Sequence, residues 1–388
     1  MLYSTILLSV KKQKVDRAGI FDIMRNMSRK EYEQYPAPTG ALLKWYDENR
    51  RILPWREDPA PYHIWLSEVM LQQTRVDTVI SYYHRFLEQL PDIRALAEAE
   101  EEQLLKLWQG LGYYSRIRNM HKAARQVMED CGGVLPSDPK ELQKLSGIGP
   151  YAAAAIASIA YGVPVPSVDG NLLRVFARTT GYRESIRTPG AKKAAESHYR
   201  NLLPEDRPGD MNQALMDLGA TICLPNGAPD CGRCPWIGFC EAFRTGEQEN
   251  LPVKEEKKTR KVQKRTVFLI EAAPADPNTS SLGPAYALRK RPARGLLANL
   301  WEFPGTDGHL TEDDARQHLE SLGFEVRSLT GLPSARHIFS HVEWDMRGYL
   351  VHAEAPAESA GLVYATKKEM EQLYSIPTAF RFYLSLLE

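Results

Sequence analysis

Four of the five cysteines crowd into eighteen residues, Cys223, Cys231, Cys234 and Cys240, spaced C-x7-C-x2-C-x5-C. Four thiolates this close can surround one metal centre. A zinc site commonly pairs two C-x2-C knuckles and only one is present, so zinc, an iron–sulfur centre and an unmetallated loop all stay open on spacing alone. The fifth, Cys131, continues the helical spacing of Ile117, Met120, Ala124, Val127 and Met128 and reads as a small buried apolar residue. Carboxylates supply a second chemistry. Glu68 interrupts the apolar run Ile-Trp-Leu-Ser-Glu-Val-Met-Leu, where desolvation would raise its pKa unless it sits at the surface. Asp169, in Val-Pro-Ser-Val-Asp-Gly-Asn ahead of Leu172 and Leu173, is placed to cap a helix. Between them, Gly147 and Gly149 flank Ile148 ahead of Pro150. Such a pair makes a tight hairpin whose following backbone N–H groups can approach a phosphate, although a plain packing corner would use the same residues.

The elements that must position these groups are helical from about 40 to 245. Val76, Val79, Ile80, Tyr83, Phe86, Leu87 and Leu90 form one amphipathic face, and the series from Ile117 ends at Gly132-Gly133. Asp138-Pro139 with Glu141 three residues past the cap opens another helix. From about 246 the character changes: residues 254–265 hold seven basic and two acidic side chains with almost nothing to bury, a solvated linker able to track phosphates. Beyond it, Thr-Val-Phe-Leu-Ile-Glu-Ala and Arg-Gly-Tyr-Leu-Val-His-Ala-Glu have strand composition, whereas 313–324 and 367–376 look helical.

The 388 residues suit two to three domains, with 43% hydrophobic and 25% charged content excluding a disordered or collagenous chain. Basic and acidic residues balance at 49 each, which leaves room for a local basic stripe. No apolar run approaches the ~20 residues that span a bilayer. The first residues place an apolar stretch before basic ones, the reverse of a secretory signal, so 1–27 is expected to be a disordered extension ahead of a second plausible start at Met27. Cysteine usage does not suit a disulfide framework and points to the reducing cytoplasm.

The Gly-x-Gly hairpin with its downstream Asp resembles the helix–hairpin–helix DNA glycosylase superfamily. The cysteine series looks like the [4Fe-4S] loop of its endonuclease III and MutY branches, with one residue more than their C-x6-C first spacing, an insertion that costs little in a surface loop. Leu53-Pro54-Trp55-Arg56, the segment from Tyr62 to Thr74 and Gly110-Leu111-Gly112-Tyr113-Tyr114-Ser115-Arg116 are similar to the signature of the MutY adenine glycosylase family, from about residue 36 onward. The resemblance implies a multidomain chain: an all-α helix–hairpin–helix core over 28–245, a six-helix barrel with its cluster loop at 223–240, a basic linker at 246–265, and an α+β Nudix-like lesion-recognition domain over 266–388. It implies removal of adenine mispaired with 8-oxoguanine or guanine in double-stranded DNA by a monomer, in the cytoplasm beside a bacterial-type nucleoid, with no membrane partner.

In that family Glu68 would donate a proton to adenine N7, and Asp169 would stabilise the sugar cation or capture it at C1′. Tyr151 and Asn171 would hydrogen-bond nearby, and Arg51 and Gln213 would meet the adenine edges. Many members carry Glu where Gln213 stands. Gln73 and Tyr113 would fill or wedge the stack, with Thr74, Gly147 and Gly149 also at DNA. Bifunctional relatives place a Schiff-base lysine where Tyr151 stands, so a monofunctional enzyme is implied. Asn299 to Gly305 resembles the strand entering a Nudix box, but Arg316 to Ser321 lacks two of three metal-binding acids, which speaks against pyrophosphohydrolase chemistry. Phe339-Ser340-His341 matches the lesion-recognition loop. The competing readings are a pyrimidine-specific glycosylase/lyase, a Nudix nucleotide hydrolase fused to a DNA-binding module, and a non-catalytic iron–sulfur DNA-binding protein.

Overall fold

A computed structural model describes residues 38–253, 259–272, 283–354 and 361–387. The expected extension over 1–27 lies outside them. The chain divides into two compact units, one taking residues up to 68 and 135–255, the other 69–134 and 256–388. The helical segment 69–134 therefore groups with the C-terminal sheet.

The first unit is all-helical. Helices Pro38–Asn49, Gly170–Thr180, Pro189–Arg200 and Pro208–Thr221 bury Leu42, Tyr46, Leu172, Phe176, Tyr199, Met211 and Leu218 in one core with Trp236. Pro150–Tyr161, alanine-rich and buried from Ala152 to Ser158, starts from the glycine hairpin and carries Pro150 in its first turn. Asp138 does cap a helix, accepting from the Lys140 and Glu141 N–H groups, but that helix lasts only from Pro139 to Leu142. Glu141 pairs with Lys144 instead of closing a capping box.

In the second unit, helices Val76–Gln89 and Ser115–Asp130 bury the faces their spacing predicts: Val79, Tyr83 and Phe86 on one, Ile117, Met120, Ala124 and Val127 on the other. Cys131 departs from expectation. It falls one residue past the helix and is half-buried, because Gly132 and Gly133 at φ 63° and 84° turn the chain to the surface there. The same unit holds a seven-stranded mixed sheet: β1 Lys261–Ala272, β2 Ala285–Lys290, β3 Trp301–Glu302, β4 Gly305–Asp307, β5 Glu325–Ile338, β6 Val342–Glu354 and β7 Leu362–Thr366. The order is β3-β2-β1-β6-β5, with β4 on β1 and β7 on β2, and only the central β1–β6 pair is parallel. Alternation sends Val267 and Leu269 to one face with Met370 and Tyr383, and Phe268 and Ile270 to the other with Ala315 and Leu319 of helix Glu312–Ser321.

The basic linker is shorter than its composition suggests. Residues 254–258 lie outside the described set, but 261–265 are already strand, in register with Val342 to Met346. Long polar side chains suit that strand because they cover Trp344: Gln263 accepts its indole N–H at 3.0 Å, and the Arg265 guanidinium lies 4.3 Å from its ring centre. Upstream, Gln248 and Leu251 are buried in the helical unit. Among the described residues no helix is long and apolar enough to cross a membrane.

Candidate active site

Glu68 lies on helix Pro61–Leu71, 5% exposed. Burial pushes its carboxyl up to about 7; the Tyr151 hydroxyl, donating to it, and Arg56 pull down, and the negative charge of Asp169 adds to the rise. Its Oε2 has no hydrogen-bond partner, so a protonated Glu68 keeps a free O–H to give away. Tyr151 stands in the first turn after the glycine hairpin, and burial raises its phenol well above the ordinary value, so it remains a donor.

Asp169 does cap helix Gly170–Thr180, accepting from the Leu172 N–H at 2.8 Å. Asn171 donates its side-chain amide to the other carboxylate oxygen at 2.9 Å. Burial raises the Asp169 carboxyl, while these donors and Arg174 oppose the rise by favouring the anion. The loop ahead of Asp169 is pinned by Asn212, fully buried, which accepts from the Ser167 N–H and donates to the Val165 carbonyl and Ser158 hydroxyl. Arg174 continues the chain of contacts: it donates to Asn171, to the Gly219 carbonyl and to the Cys223 carbonyl at 2.7–3.0 Å. Glu68 thus keeps one carboxyl oxygen unpartnered, whereas Asp169 is wrapped in N–H donors.

Asp217 gathers Arg51, and Gln213 lies on the same helix as Asp217. Asp217 is 1% exposed and sits one helical turn past the buried Gln213. Arg51 donates to it from Nε at 2.7 Å, and Arg56 grips both oxygens at 2.8 and 2.9 Å. Burial alone would raise the Asp217 carboxyl, but the two guanidinium groups hold it below its ordinary value. Residues Asn212, Asp217, Arg56 and Arg174 were missed in the sequence. Arg56 lay inside a recognised motif and could have been singled out. The others carried no local signal, since their partners lie up to 166 positions away.

Gly147 adopts φ 76°, which a side chain would resist, and Gly149 leaves open space where a Cβ would stand. In the second unit, Gln73 and Tyr113 are both non-glycine residues at positive φ, 62° and 47°. Phe339, Ser340 and His341 form the turn between β5 and β6, closed by the Phe339 N–H on the Val342 carbonyl at 2.8 Å. Phe339 packs its ring on Trp344, 4.9 Å between centres, and anchors the turn. Ser340 and His341 line a cavity of about 320 Å³ together with Tyr113, Arg118 and Ala298, so the structure gathers Tyr113 and this turn at one place. Glu302, in the strand that resembles a Nudix entry, is buried and paired with Arg289 and Arg291.

The four clustered cysteines line one cavity with Arg178, Ile222 and Phe243. Arg178 donates to the Cys223 sulfur at 3.2 Å. Among the described residues, no three His, Cys, Asp or Glu side chains are grouped as for a single ion. The donor set is nonetheless all sulfur, the kind that soft metal centres take, with Arg178 beside Cys223, while burial raises the Cys231, Cys234 and Cys240 thiols. The longer first spacing is taken up by an exposed turn at 225–228, closed by the Asp230 N–H on the Ile222 carbonyl at 3.0 Å.

The profile of the HhH-GPD superfamily base excision DNA repair protein matches residues 66–202, and that of the NUDIX domain matches 283–386. An adenine DNA glycosylase of Mus musculus is 37% identical over 82% of this chain and 71% of its own length. One of Homo sapiens is 33% identical over 85% and 70%. Among solved structures, a thermostable thymine-DNA glycosylase aligns over 57% of this chain and 98% of its own with 27% identity and a TM-score of 0.49.

Proposed function

The chain belongs to the adenine DNA glycosylase family, and on that premise we propose that it excises adenine paired with 8-oxoguanine or guanine through Glu68 and Asp169. It is a DNA glycosylase acting on N-glycosyl bonds, built from an HhH-GPD domain and a Nudix-like domain with a mixed sheet. The observation that carries the mechanism is Glu68, a buried carboxyl raised to about 7 with one oxygen unpartnered. Protonated, it donates to N7 of a flipped adenine and makes the base a better leaving group. Positive charge then grows on the sugar, where Asp169 stabilises it or captures C1′ before water completes hydrolysis. Tyr151 offers a hydroxyl and no amine, so no Schiff base forms there and strand cleavage is not part of the reaction. Arg51 and Gln213 contact the adenine edges, Gln73, Thr74 and Tyr113 the opened stack, and Ser340 and His341 the opposite base.

Cys223, Cys231, Cys234 and Cys240 would hold a [4Fe-4S] cluster, which organises the 223–240 loop when bound. The reducing cytoplasm would keep these thiols available. Duplexes carrying A:8-oxoguanine, A:G, A:C and T:G, incubated with the protein and then treated with alkali, test the substrate. The adenine strand of the first two should break; breakage at T:G would overturn the reading.

A further inference from the structure

The Arg116 guanidinium donates into a cage of five main-chain carbonyls. Its Nη1 donates to the carbonyls of Val69, Met70 and Gln72 at 2.7, 3.0 and 2.6 Å. Its Nη2 donates to those of Leu111 and Gly112 at 3.0 and 3.1 Å, with the Thr74 hydroxyl at 3.4 Å. The side chain is buried, and that burial, with no carboxylate among its partners, pulls the guanidinium down to about 10. It also lies 5.3 Å from the Trp108 ring centre and 5.7 Å from that of Tyr113. Burying a charge costs free energy that only well-placed hydrogen bonds or an opposite charge offset, and here the carbonyls supply them.

The carbonyls it gathers belong to two separate segments. One closes helix Pro61–Leu71 and leads into Gln73; the other leads into Tyr113. Both segments place a non-glycine residue at positive φ, a conformation that persists only where surroundings over-determine it. A planar fork with donors on two sides can hold two loops at fixed separation, whereas a lysine ammonium cannot span them in the same way. Tyr113 is 43% exposed although its backbone is held, so its ring is presented outward from a rigid support.

We propose that Arg116 is a positioning residue that clamps the Gln73 and Tyr113 loops to each other, so that their side chains enter the opened base stack as one rigid wedge. Arg116 itself touches no DNA. The proposal rests on the wedging role assigned to Gln73 and Tyr113 above.

The test is single-turnover excision of adenine opposite 8-oxoguanine by the full chain, with 2-aminopurine beside the target as a fluorescent report of unstacking. Arg116→Gln, Arg116→Lys, Tyr113→Ala and the double variant Arg116→Gln/Tyr113→Ala are compared, with near-UV circular dichroism to report the fold. Both Arg116 variants should keep the native spectrum and lose on the order of 10²-fold in unstacking and excision, as misplacement by about 1 Å does. The double variant should lose no more than the worse single one, because both changes remove the same wedge. Adenine opposite an abasic gap, already unstacked, should restore most of the rate to the Arg116 variants. Losses that multiply in the double variant, or that persist opposite the gap, would overturn the clamp. So would failure of both Arg116 variants to hold the native spectrum, which would make the arginine a folding residue. A normal Tyr113→Ala would refute the wedge on which the clamp depends; a defective Tyr113→Ala beside a normal Arg116→Gln would refute the clamp alone.

Discussion

Replacing Glu68 with Gln should cost the enzyme its reaction and make it more stable at alkaline pH. Burial raises this carboxyl from 4.5 to about 7, and each pH unit of such a rise corresponds to about 1.4 kcal/mol. A group raised on folding contributes its full stability below its unfolded pKa and loses it as pH climbs through the folded value. Wild-type protein therefore gives up about 3 kcal/mol once Glu68 is ionised, and a glutamine, which does not titrate, gives up none. About 2 kcal/mol of the difference should develop between about pH 5.5 and about pH 8.5. Gln keeps the acceptor for Tyr151 and, like the protonated acid, is neutral with a donor group at the unpartnered position, so the two proteins should converge at low pH. Difference titration of the native proteins should show one extra proton released by wild type with a midpoint near 7, and urea denaturation at the two pH values should show the stability gap widen. Excision by Glu68→Gln should fall by roughly 10²–10⁴-fold, the usual worth of a general acid. Stability differences that do not change with pH would refute the assignment of a buried, raised carboxyl.

Asp217→Asn leaves Arg56 and Arg51 without their anion and should destabilise the protein by about 3–5 kcal/mol, measured by urea denaturation at neutral pH, with excision weakened as Arg51 loosens. Ser340→Ala combined with His341→Ala should bring the dissociation constants for A:8-oxoguanine and A:G duplexes together at one fixed salt concentration, erasing about 1–3 kcal/mol of discrimination while slowing the chemical step less. Cys234→Ser should lower the iron and sulfide content from about four of each per chain and weaken DNA binding, read by metal analysis and titration with labelled duplex.

Much of the site could be read before any fold was known, for local reasons. A carboxylate in an apolar helix, an aspartate ahead of a helical run and two glycines around one isoleucine each carry their physics within a few residues. Glu68 is accordingly buried, Asp169 caps its helix and Gly147 turns at positive φ. The supports did not announce themselves, because their partners are distant in the chain. Asn212 pins a loop some 45 positions earlier, Asp217 gathers Arg51 and Arg56 from 161 or more away, and Arg116 binds carbonyls that any residue could supply. Composition misled at two places. The basic run reads as solvated linker, yet its last residues are a central strand whose long side chains shield Trp344. Cys131 keeps helical spacing past the point where two glycines have ended the helix.

The central claim is that Glu68 delivers a proton to N7 of adenine, and substituting that one atom tests it most directly. A duplex with 7-deazaadenine opposite 8-oxoguanine keeps the base shape and its pairing edge but has carbon where N7 stood. Wild-type protein should bind this duplex about as tightly as the adenine duplex and release no base under single-turnover conditions, because no lone pair remains to accept the proton. Release of 7-deazaadenine at a rate near that of adenine would contradict the mechanism.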